Sequence, residues 1–313
     1  MKLIIQIPCY NEEKTLPLVF EWMPTQIDWI DTIETMIIDD GSTDRTIEVA
    51  KELWVTHIIR HVWNKWLGNW FKSWLYKALS EWADILVNTD WDNQYPSKYI
   101  PELIKPILDK KSDIVIWDRQ THKVEHFSFL KKILQWIWSA LVRFLSWTKV
   151  PDSVSGFRAY SRDSLMQLNV TTRFSYVLDT IVQAWSKWIK IDYIKITTNP
   201  PTRPSRLFKN IFQHIRKSTF DLFRVFAMHR PLRVFLSLGL PFLIIWLVGI
   251  SRFLYFYSIN PDDTGKIQSL VLAWVSLIIA FQMFALWIIW DLINKNTKLV
   301  EDTLNLNKRD IYK

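Results

Sequence analysis

The chain has 313 residues, 49% of them hydrophobic, and a formal net charge of +8, so it can hold one sizeable domain and an additional part. The positive charge favours an anionic partner. No nucleic-acid-binding motif occurs, so we expect a membrane surface or a phosphorylated substrate and no nucleic acid. The chain has a single cysteine, Cys9, which excludes an internal disulfide and fits a reducing cytoplasm. We expect Cys9 to be a small buried residue without a chemical role.

Short apolar runs alternate with helix-forming segments in the N-terminal part of the chain. The runs cover residues 3–7, 35–38, 57–61, 83–87 and 113–116. The first run is too short to be the core of a signal peptide, so we expect the N-terminal domain to remain in the cytoplasm. The alternation predicts an α/β fold with a doubly wound, mostly parallel sheet and helices on both faces.

Acidic residues follow two of these predicted strands. Asp39 ends the second strand, and Asp90 and Asp92 follow the fourth. The helix after the second strand is expected to have its N-cap at Ser42, Thr43 or Asp44. Because open α/β sheets bind ligands at the carboxyl ends of their strands, we expect the acidic groups to meet at one edge.

Asp90, Asp92 and Gln94 form the candidate metal site. Two carboxylates and an amide oxygen suit a hard divalent cation that also holds a diphosphate. By itself, an Asp-x-Asp pattern is most often a solvated turn, so the assignment depends on the rest of the chain.

Tryptophan is unusually frequent and glycine is scarce, with 19 Trp and 6 Gly, whereas Gly makes up about 7% of an average domain. Several tryptophans lie where a loop, a helix start or a strand end would take a small residue. They are Trp63, Trp66, Trp70, Trp74, Trp82, Trp91 and Trp117. We hypothesise that many are glycines from a gene in which UGA is read as Gly but was translated as Trp. The alternative is a Trp-rich membrane protein, which does not account for Trp91 between two carboxylates.

The C-terminal part has the pattern of a membrane anchor. Residues 207–228 place apolar and basic side chains on different faces, which predicts amphipathic helices at an anionic interface. Residues 234–251 and 267–290 contain no charge and can each cross a bilayer. The turn between the two stretches carries Asp262 and Asp263. Basic residues lie before the first stretch and after the second: Arg230, Arg233, Lys295, Lys298, Lys308 and Arg309. Both flanks are therefore predicted to be cytoplasmic.

Five motifs occur in the order seen in family 2 glycosyltransferases. They are IPCYNE (7–12), DDGSTD (39–44), HVWNKWLG (61–68), DWDNQYP (90–96) and SGFR (155–158). The chain resembles the polyprenyl-phosphate branch of this family, which includes dolichyl-phosphate mannose synthases, over about residues 3–215 and in the layout of the membrane part. It departs from the family pattern chiefly by Trp63, Trp66 and Trp91, where the family has Gly or another small residue.

The resemblance implies a domain organisation. A GT-A type catalytic domain is expected at 1–205, amphipathic interfacial helices at 206–230, a two-helix transmembrane hairpin at 231–293 and a cytoplasmic tail at 294–313. The protein would be a multi-pass membrane protein of the cell envelope with its catalytic domain in the cytoplasm. This branch also suggests a homotetramer.

The resemblance also implies a donor site. The residues lining the nucleotide pocket would be Pro8, Tyr10, Asn11, Glu12, Ile37 and Asp39. Asp90, Asp92 and Gln94 would hold Mg²⁺ or Mn²⁺ against the donor diphosphate, with Trp91 beside them.

An acceptor site is implied further along the chain. Asp152 would be a base of modest importance or an orienting group, and Arg158 would bind a phosphate. The alternative for Arg158 is a structural ion pair with Asp152. Arg119 is a weaker candidate for the same charge cluster. Arg203 and Arg206 match a family loop that borders the donor and acceptor phosphates; the alternative is a charged linker that contacts lipid headgroups.

The expected reaction is the transfer of one sugar, with inversion, from a nucleotide-diphosphate sugar to a polyprenyl phosphate. Two alternatives stay open: a transferase acting on another membrane lipid or a polysaccharide, and a catalytically dead membrane scaffold if the active-site tryptophans are real.

Overall fold

One sheet organises the N-terminal part of the protein. The computed structural model describes residues 1–61, 66–90, 95–119, 139–140, 151–152, 155–170, 176–195, 227, 231–260 and 267–312. Within these residues the strands are β1 (Lys2–Cys9), β2 (Thr32–Asp39), β3 (His57–Arg60), β4 (Ile85–Asn88), β5 (Ile114–Asp118), β6 (Arg158–Ser161) and β7 (Ile191–Lys195). Their order across the sheet is β3-β2-β1-β4-β6-β5-β7.

Helices connect most of these strands, and two long helices follow the sheet. They are α1 (Leu16–Glu21), α2 (Thr46–Glu52), α3 (Trp66–Ser80), α4 (Ile100–Leu108), α5 (Arg162–Gln167), α6 (Tyr176–Ser186), α7 (Pro231–Ile259) and α8 (Ile267–Ile311). A single 3₁₀ turn, Ser97–Tyr99, precedes α4. The predicted strand–helix alternation is confirmed.

The sheet is mostly parallel, with β6 as its antiparallel member. β1 pairs in parallel with β2 and β4, and β5 pairs in parallel with β7. β6 runs antiparallel between β4 and β5. The sequence did not identify β6 as a strand, because its four residues, RAYS, are too few to show a period.

Apolar side chains cover both faces of the sheet. Alternate residues of β1 point to opposite sides, so Ile4 packs with Phe71 of α3 on one face, and Leu3 and Ile5 pack with Ile104 of α4 on the other. The central strands β1, β4 and β5 are almost entirely buried, which explains their continuous apolar sequences. The doubly wound α/β class predicted from the sequence is confirmed.

The start of α2 differs from the prediction. Arg45 occupies the N-cap position, and its side chain makes no capping hydrogen bond. Asp44, one residue earlier, instead accepts a hydrogen bond from the Thr46 N–H at 3.0 Å. The predicted cap was wrong by one position because an Asp side chain can bond the backbone two residues ahead.

Two long apolar helices form most of a second unit. By its contacts the chain divides into Met1–Leu222 with Leu304–Lys313, and Phe223–Thr303. α7 and α8 each contain an apolar window of membrane-spanning length, of which 6% and 11% is buried. A core helix of a soluble protein would be mostly buried, and a signal sequence would lie near the N-terminus. The two helices therefore indicate membrane anchoring.

The last turns of α8 belong to the first unit. Lys308 is 3% exposed, and its ammonium group donates to the Leu168 carbonyl at 2.8 Å and to Asn169 Oδ1 at 2.6 Å. Arg162 donates to the carbonyl of Tyr312 at 2.5 Å. The predicted tail is thus helical at its end and packed against the sheet-bearing unit. The predicted domain boundaries stay predictions, and the amphipathic segment at 206–230 lies outside the described residues apart from residue 227.

Candidate active site at the carboxyl edge of the sheet

The carboxyl ends of β1, β2 and β4 lie side by side. Cys9, the last residue of β1, pairs with Asp39, the last residue of β2. Gln6 of β1 pairs with Asn88 at the end of β4. Because β2 and β4 both run parallel to β1, Asp39 and the residues that follow Asn88 lie toward the same edge of the sheet.

Asp39 is fully buried at this edge. Its Oδ1 accepts a hydrogen bond from the Ser42 N–H at 3.0 Å. Its Oδ2 is buried and has no hydrogen-bond partner among the described residues, although Arg60 Nε lies 3.4 Å from it. Oδ2 is therefore ion-paired with Arg60 but accepts no hydrogen bond from the described residues, which is uncommon for a buried carboxylate.

The loops after β1 and β2 are bonded to each other. The Asn11 N–H donates to Ser42 Oγ, and Asn11 Oδ1 accepts from the Thr43 N–H, both at 2.8 Å. The Glu12 N–H donates to Thr46 Oγ1 at 2.7 Å. Asn11 has a φ of 56°, which Asn tolerates better than most residues. Two of the predicted pocket residues, Asn11 and Glu12, therefore hold the shape of the loop.

The other predicted pocket residues differ in accessibility. Pro8 and Ile37 are buried within β1 and β2. Tyr10 is 40% exposed, so its ring is the one that a ligand can reach directly. A nucleotide role for each of these residues stays a prediction.

Cys9 lies among the acidic groups of this edge. Burial raises the pKa of its thiol well above the ordinary value, and the charges of Glu12, Asp39 and Asp44 raise it further. The thiol therefore stays protonated and unreactive. The interpretation of Cys9 as a small buried residue is confirmed.

Asn88 and Gly156 control the surroundings of Asp90. The buried Asn88 amide donates to the Gly156 carbonyl at 2.6 Å and lies 3.1 Å from the Tyr176 hydroxyl. A Cβ added to Gly156 would lie 3.3 Å from Asp90 Oδ2 and 3.4 Å from Oδ1. Glycine thus lets the backbone approach the carboxylate without blocking its oxygens.

The rest of the predicted metal site cannot be placed. Trp91, Asp92 and Gln94 lie outside the described residues. Among the described residues, no group of three or more His, Cys, Asp or Glu could hold a metal ion. Asp90 itself fits the role in chemical type, since carboxylate oxygens are ligands for Mg²⁺ and Mn²⁺.

Asp152 is held by Arg119 in a bidentate ion pair. Arg119 Nε lies 2.5 Å from Oδ2, and Nη2 lies 2.9 Å from Oδ1. Both side chains are nearly buried, 11% and 4% exposed. Burial alone lowers the pKa of Arg119, but the charge of Asp152 outweighs it and raises the pKa above the ordinary value. From the sequence, Arg119 was only a weak candidate for a charge cluster with Asp152, and their direct pairing was not predicted.

Arg158 is fully buried and bonds to the protein backbone. Its Nε donates to the Ser155 carbonyl at 2.8 Å, and its Nη1 donates to the Val177 carbonyl and to Thr180 Oγ1, both at 2.9 Å. These bonds tie the segment before β6 to α6. Phosphate binding by Arg158 stays a prediction, and Arg203 and Arg206 lie outside the described residues.

Sequence reasoning missed Asn88 and Arg60 as residues of this edge. The signal for Asn88 was an amide at the end of the buried run ILVN, directly before the acidic motif. Arg60 had no comparable signal, because only strand pairing places it opposite Asp39.

Comparison with known proteins identifies the family. Residues 4–168 match the model of Glycosyl transferase family 2. This match covers more than half of the chain, so the protein belongs to family 2 of the glycosyltransferases, as the motifs predicted.

Distant relatives act on polyprenyl or dolichyl phosphates. The chain is 28% identical over 228 residues to a dolichol-phosphate mannosyltransferase of Pyrococcus furiosus, covering 69% of this chain and 62% of the relative. It is 31% identical over 185 residues to a UDP-N-acetylglucosamine–dolichyl-phosphate N-acetylglucosaminyltransferase of Methanococcus voltae, covering 53% and 72%. An undecaprenyl-phosphate mannosyltransferase of Micrococcus luteus is 25% identical over 176 residues, covering 54% and 70%.

A solved structure confirms the GT-A type of fold. Glucosyl-3-phosphoglycerate synthase from Mycobacterium tuberculosis in complex with UDP superposes with a TM-score of 0.53 at 17% identity, covering 72% of this chain and 79% of that chain. Other structures of that enzyme contain Mn²⁺ or Mg²⁺ together with UDP.

Proposed function

We propose that this protein is a metal-dependent, inverting hexosyltransferase that moves one sugar from a nucleotide-diphosphate sugar to a polyprenyl phosphate at a membrane. The observation that carries the proposal is the placement of Asp39 and Asp90 at one carboxyl edge of a family 2 sheet, in a chain with two long apolar helices. The relatives named above support the lipid acceptor.

The donor nucleotide would bind between the ends of β1 and β2. Oδ2 of Asp39, which accepts no hydrogen bond from the described residues, would accept one from a ribose hydroxyl or a base N–H. Tyr10, which is partly exposed, packs against the base or ribose. The bonded loops around Asn11 keep this pocket formed before the donor arrives, so less ordering is required on binding.

Asp90, with Asp92 and Gln94, would hold Mg²⁺ or Mn²⁺ against the diphosphate. A cation held there would supply the positive charge that neutralises the leaving diphosphate. Because Gly156 has no Cβ, no side chain at that position crowds the oxygens of Asp90, and the Asn88 amide donates to the carbonyl of that glycine. Gly156 and Asn88 thereby determine the space around Asp90, the first of the three proposed metal ligands.

The acceptor phosphate is already ionised at neutral pH, so it needs positioning more than deprotonation. Asp152 keeps Arg119 charged and oriented, and the remaining N–H groups of Arg119 contact a phosphate. Asp152 thus acts as an orienting group. Arg203 and Arg206 would add contacts to the donor and acceptor phosphates, and the phosphate would attack the anomeric carbon in line, with inversion.

Membrane attachment would come from α7 and α8. At about 1.5 Å per residue, each helix exceeds the roughly 30 Å of hydrocarbon in a bilayer. The unit with the sheet precedes α7, and the end of α8 packs on that same unit. Because the chain leaves this unit before α7 and returns to it at the end of α8, it would cross the membrane an even number of times. This supports a hairpin, with the sheet-bearing unit and the C-terminus both in the cytoplasm.

The test is a transfer assay on the full-length protein in membranes. A panel of labelled nucleotide sugars is incubated with polyprenyl phosphate and Mg²⁺ or Mn²⁺, and the lipid phase is analysed. We expect label in the lipid phase with one donor, and its loss when the metal is chelated. Label only in a polysaccharide fraction or another lipid would favour the first alternative, and no metal-dependent transfer or hydrolysis with any donor would favour the scaffold.

Two matched variants test whether the carboxyl edge of the sheet is the site of sugar transfer. Asp90→Asn removes a metal ligand and is expected to lower kcat by about 100-fold or more. Asp109→Asn changes an exposed carboxylate that pairs with Lys111 and is expected to leave activity unchanged. Equal activity of both variants would contradict the proposed site.

A further inference from the structure

Four tryptophans adopt a backbone conformation that favours glycine. Among the described residues, six non-glycine residues have positive φ, and four of the six are Trp29 (68°), Trp54 (57°), Trp82 (58°) and Trp188 (58°). In this region the Cβ of an L-residue crowds the backbone, so large side chains rarely occur there. Tryptophan makes up only 19 of 313 residues, so its share of these positions is far above its share of the chain.

Three of the four tryptophans end helices in the same way. Trp54 lies two residues after the end of α2, and its N–H bonds to the Lys51 carbonyl at 3.1 Å. The next N–H, of Val55, bonds to the Ala50 carbonyl at 3.1 Å. This pair of bonds defines a Schellman motif, whose left-handed position is most often glycine.

Trp82 and Trp188 repeat this pattern after α3 and α6. The N–H groups of Trp82 and Ala83 bond to the carbonyls of Leu79 and Ala78 at 3.1 and 3.0 Å. Those of Trp188 and Ile189 bond to the carbonyls of Trp185 and Ala184 at 3.4 and 2.8 Å. Each helix therefore ends at a position where the backbone needs φ above zero.

Trp29 occupies the corresponding position of a tight turn. The Ile30 N–H bonds to the Ile27 carbonyl at 3.1 Å, with Asp28 and Trp29 between them. A positive φ at the third residue is characteristic of type II turns, which place Gly or Asn there.

Packing does not compensate for the strain at these four positions. The exposed fractions are 84% for Trp29, 90% for Trp54, 57% for Trp82 and 91% for Trp188. Trp82 does lie 5.2 Å from the Arg162 guanidinium. By contrast, Trp74 and Trp117 are buried among aromatic rings and do not have positive φ.

The other two positive-φ residues are chemically different. Asn11 is of a residue type that tolerates positive φ. Lys110 occupies the same position after α4 as the tryptophans do after their helices, and it is exposed. Among the described helix ends of this kind, one therefore carries a residue other than tryptophan, Lys110. Four occurrences of the bulkiest side chain, all at exposed turn positions, require a common cause.

We infer that the native polypeptide carries glycine at positions 29, 54, 82 and 188, because its gene encodes them with UGA read as Gly. Composition and motif position had pointed to Trp82, but not to Trp29, Trp54 or Trp188, so the backbone is an independent line of argument. A single decoding rule applies to every UGA codon, so it extends to Trp63, Trp66 and Trp91 wherever their codons are UGA. The functional form of the donor site is then the glycine form.

The decisive experiment reads the gene and the native protein. We expect UGA at codons 29, 54, 82 and 188, and tryptic peptides of the protein purified from its own cells with the masses for glycine at these positions. UGG codons, or peptides with tryptophan masses, would overturn the inference.

A second experiment tests the backbone argument on the full-length tryptophan form in detergent. Trp54→Gly and Trp188→Gly are each expected to raise the Tm by about 2–4 °C. Trp22→Gly is the matched control, because Trp22 is 58% exposed and follows α1 with a φ of −108°. A glycine there gains no backbone relief and should not raise the Tm. Equal shifts at positions 22, 54 and 188 would contradict the argument.

An activity comparison rests on the proposed function and is read separately. The form with Gly at every UGA codon is expected to transfer sugar faster than the tryptophan form. If peptide masses show glycine and neither form transfers sugar, the proposed function fails while the decoding inference stands. If the masses show tryptophan, the decoding inference fails whatever the activity.

Discussion

At Asp90, one hydrogen bond and one absent side chain set the surroundings of a carboxylate. The Asn88 amide holds the Gly156 carbonyl at 2.6 Å, and Gly156 has no Cβ to crowd the Asp90 oxygens. Asp90 was found in the sequence as part of an acidic motif. Asn88 was not found, because its partner lies 68 residues further along the chain.

We predict that Asn88→Ala lowers kcat by about 10- to 100-fold, with a smaller change in the KM for the donor. The released Gly156 segment shifts against Asp90, and displacements of about 1 Å have effects of this size. The measurement is steady-state transfer at saturating acceptor.

Asn169→Ala is the matched control for this prediction. Asn169 is also a buried amide and donates to Asn305 Oδ1 at 2.9 Å, but it does not lie at the carboxyl edge. Each variant removes both hydrogen-bonding contacts of a buried amide, with Gly156 and Tyr176 for Asn88 and with Asn305 and Lys308 for Asn169. Each should therefore lose about 1–3 kcal/mol of stability. An equal loss of kcat in the two would show that Asn88 acts only through stability.

At the scale of elements, the loop before α2 is stabilised by a carboxylate. Asp44 accepts hydrogen bonds from the Thr46 hydroxyl at 2.5 Å and from the N–H groups of Thr46 at 3.0 Å and Glu13 at 3.2 Å. Partial burial alone raises the pKa of Asp44, but these hydrogen bonds outweigh it and the pKa lies below the ordinary value of 3.8. The ionised form is therefore favoured by folding.

This shift predicts a pH dependence of stability. Because the folded pKa of Asp44 is depressed, its contribution is complete above the unfolded value of 3.8 and is lost as the pH falls through the folded value. We expect wild-type protein to exceed Asp44→Ala in Tm at about pH 6, and the difference to shrink at about pH 3. The control is Asp28→Ala, at an exposed turn position; a constant difference between wild type and Asp44→Ala at both pH values would refute the prediction.

The helix ends belong to the same scale. α2, α3 and α6 end in Schellman bonds at Trp54, Trp82 and Trp188, and the hydrogen-bond pattern alone determines the sign of φ there. A sequence with tryptophan at these positions conceals the usual glycine signal for a helix end. The backbone of the folded chain recovers that signal.

At the scale of the whole molecule, the C-terminal residues Leu304–Lys313 belong to the unit that contains the sheet. Lys308 is buried against Leu168 and Asn169, and its ammonium group lies 5.5 Å from the Tyr76 ring. From the sequence, Lys308 was interpreted only as one of the positive charges that flank the second span. The contact adds a structural role to the electrostatic one.

We predict that Lys308→Met destabilises the catalytic unit by about 1–3 kcal/mol, because it leaves buried carbonyl oxygens without a donor. The side-chain length is kept, so packing changes little. Hydrogen exchange of residues 162–170 in the full-length protein is expected to accelerate. Arg309→Met, at the exposed neighbouring position, is the control, and exchange that accelerates equally in both variants would exclude a specific role for Lys308.

The family, the α/β class and the two apolar helices could be predicted from the sequence by itself, because they depend on local features: apolar runs, helical spacing and ordered motifs. Contacts between distant residues could not. Only the tertiary structure showed the antiparallel β6, the Arg119–Asp152 ion pair and the bond from Asn88 to Gly156. Each joins segments far apart in the chain, so its partners follow from strand pairing and packing rather than from any local pattern. The positive φ at Trp54 and Trp188 likewise depends on the hydrogen bonds that end the helices, so the sequence did not indicate it.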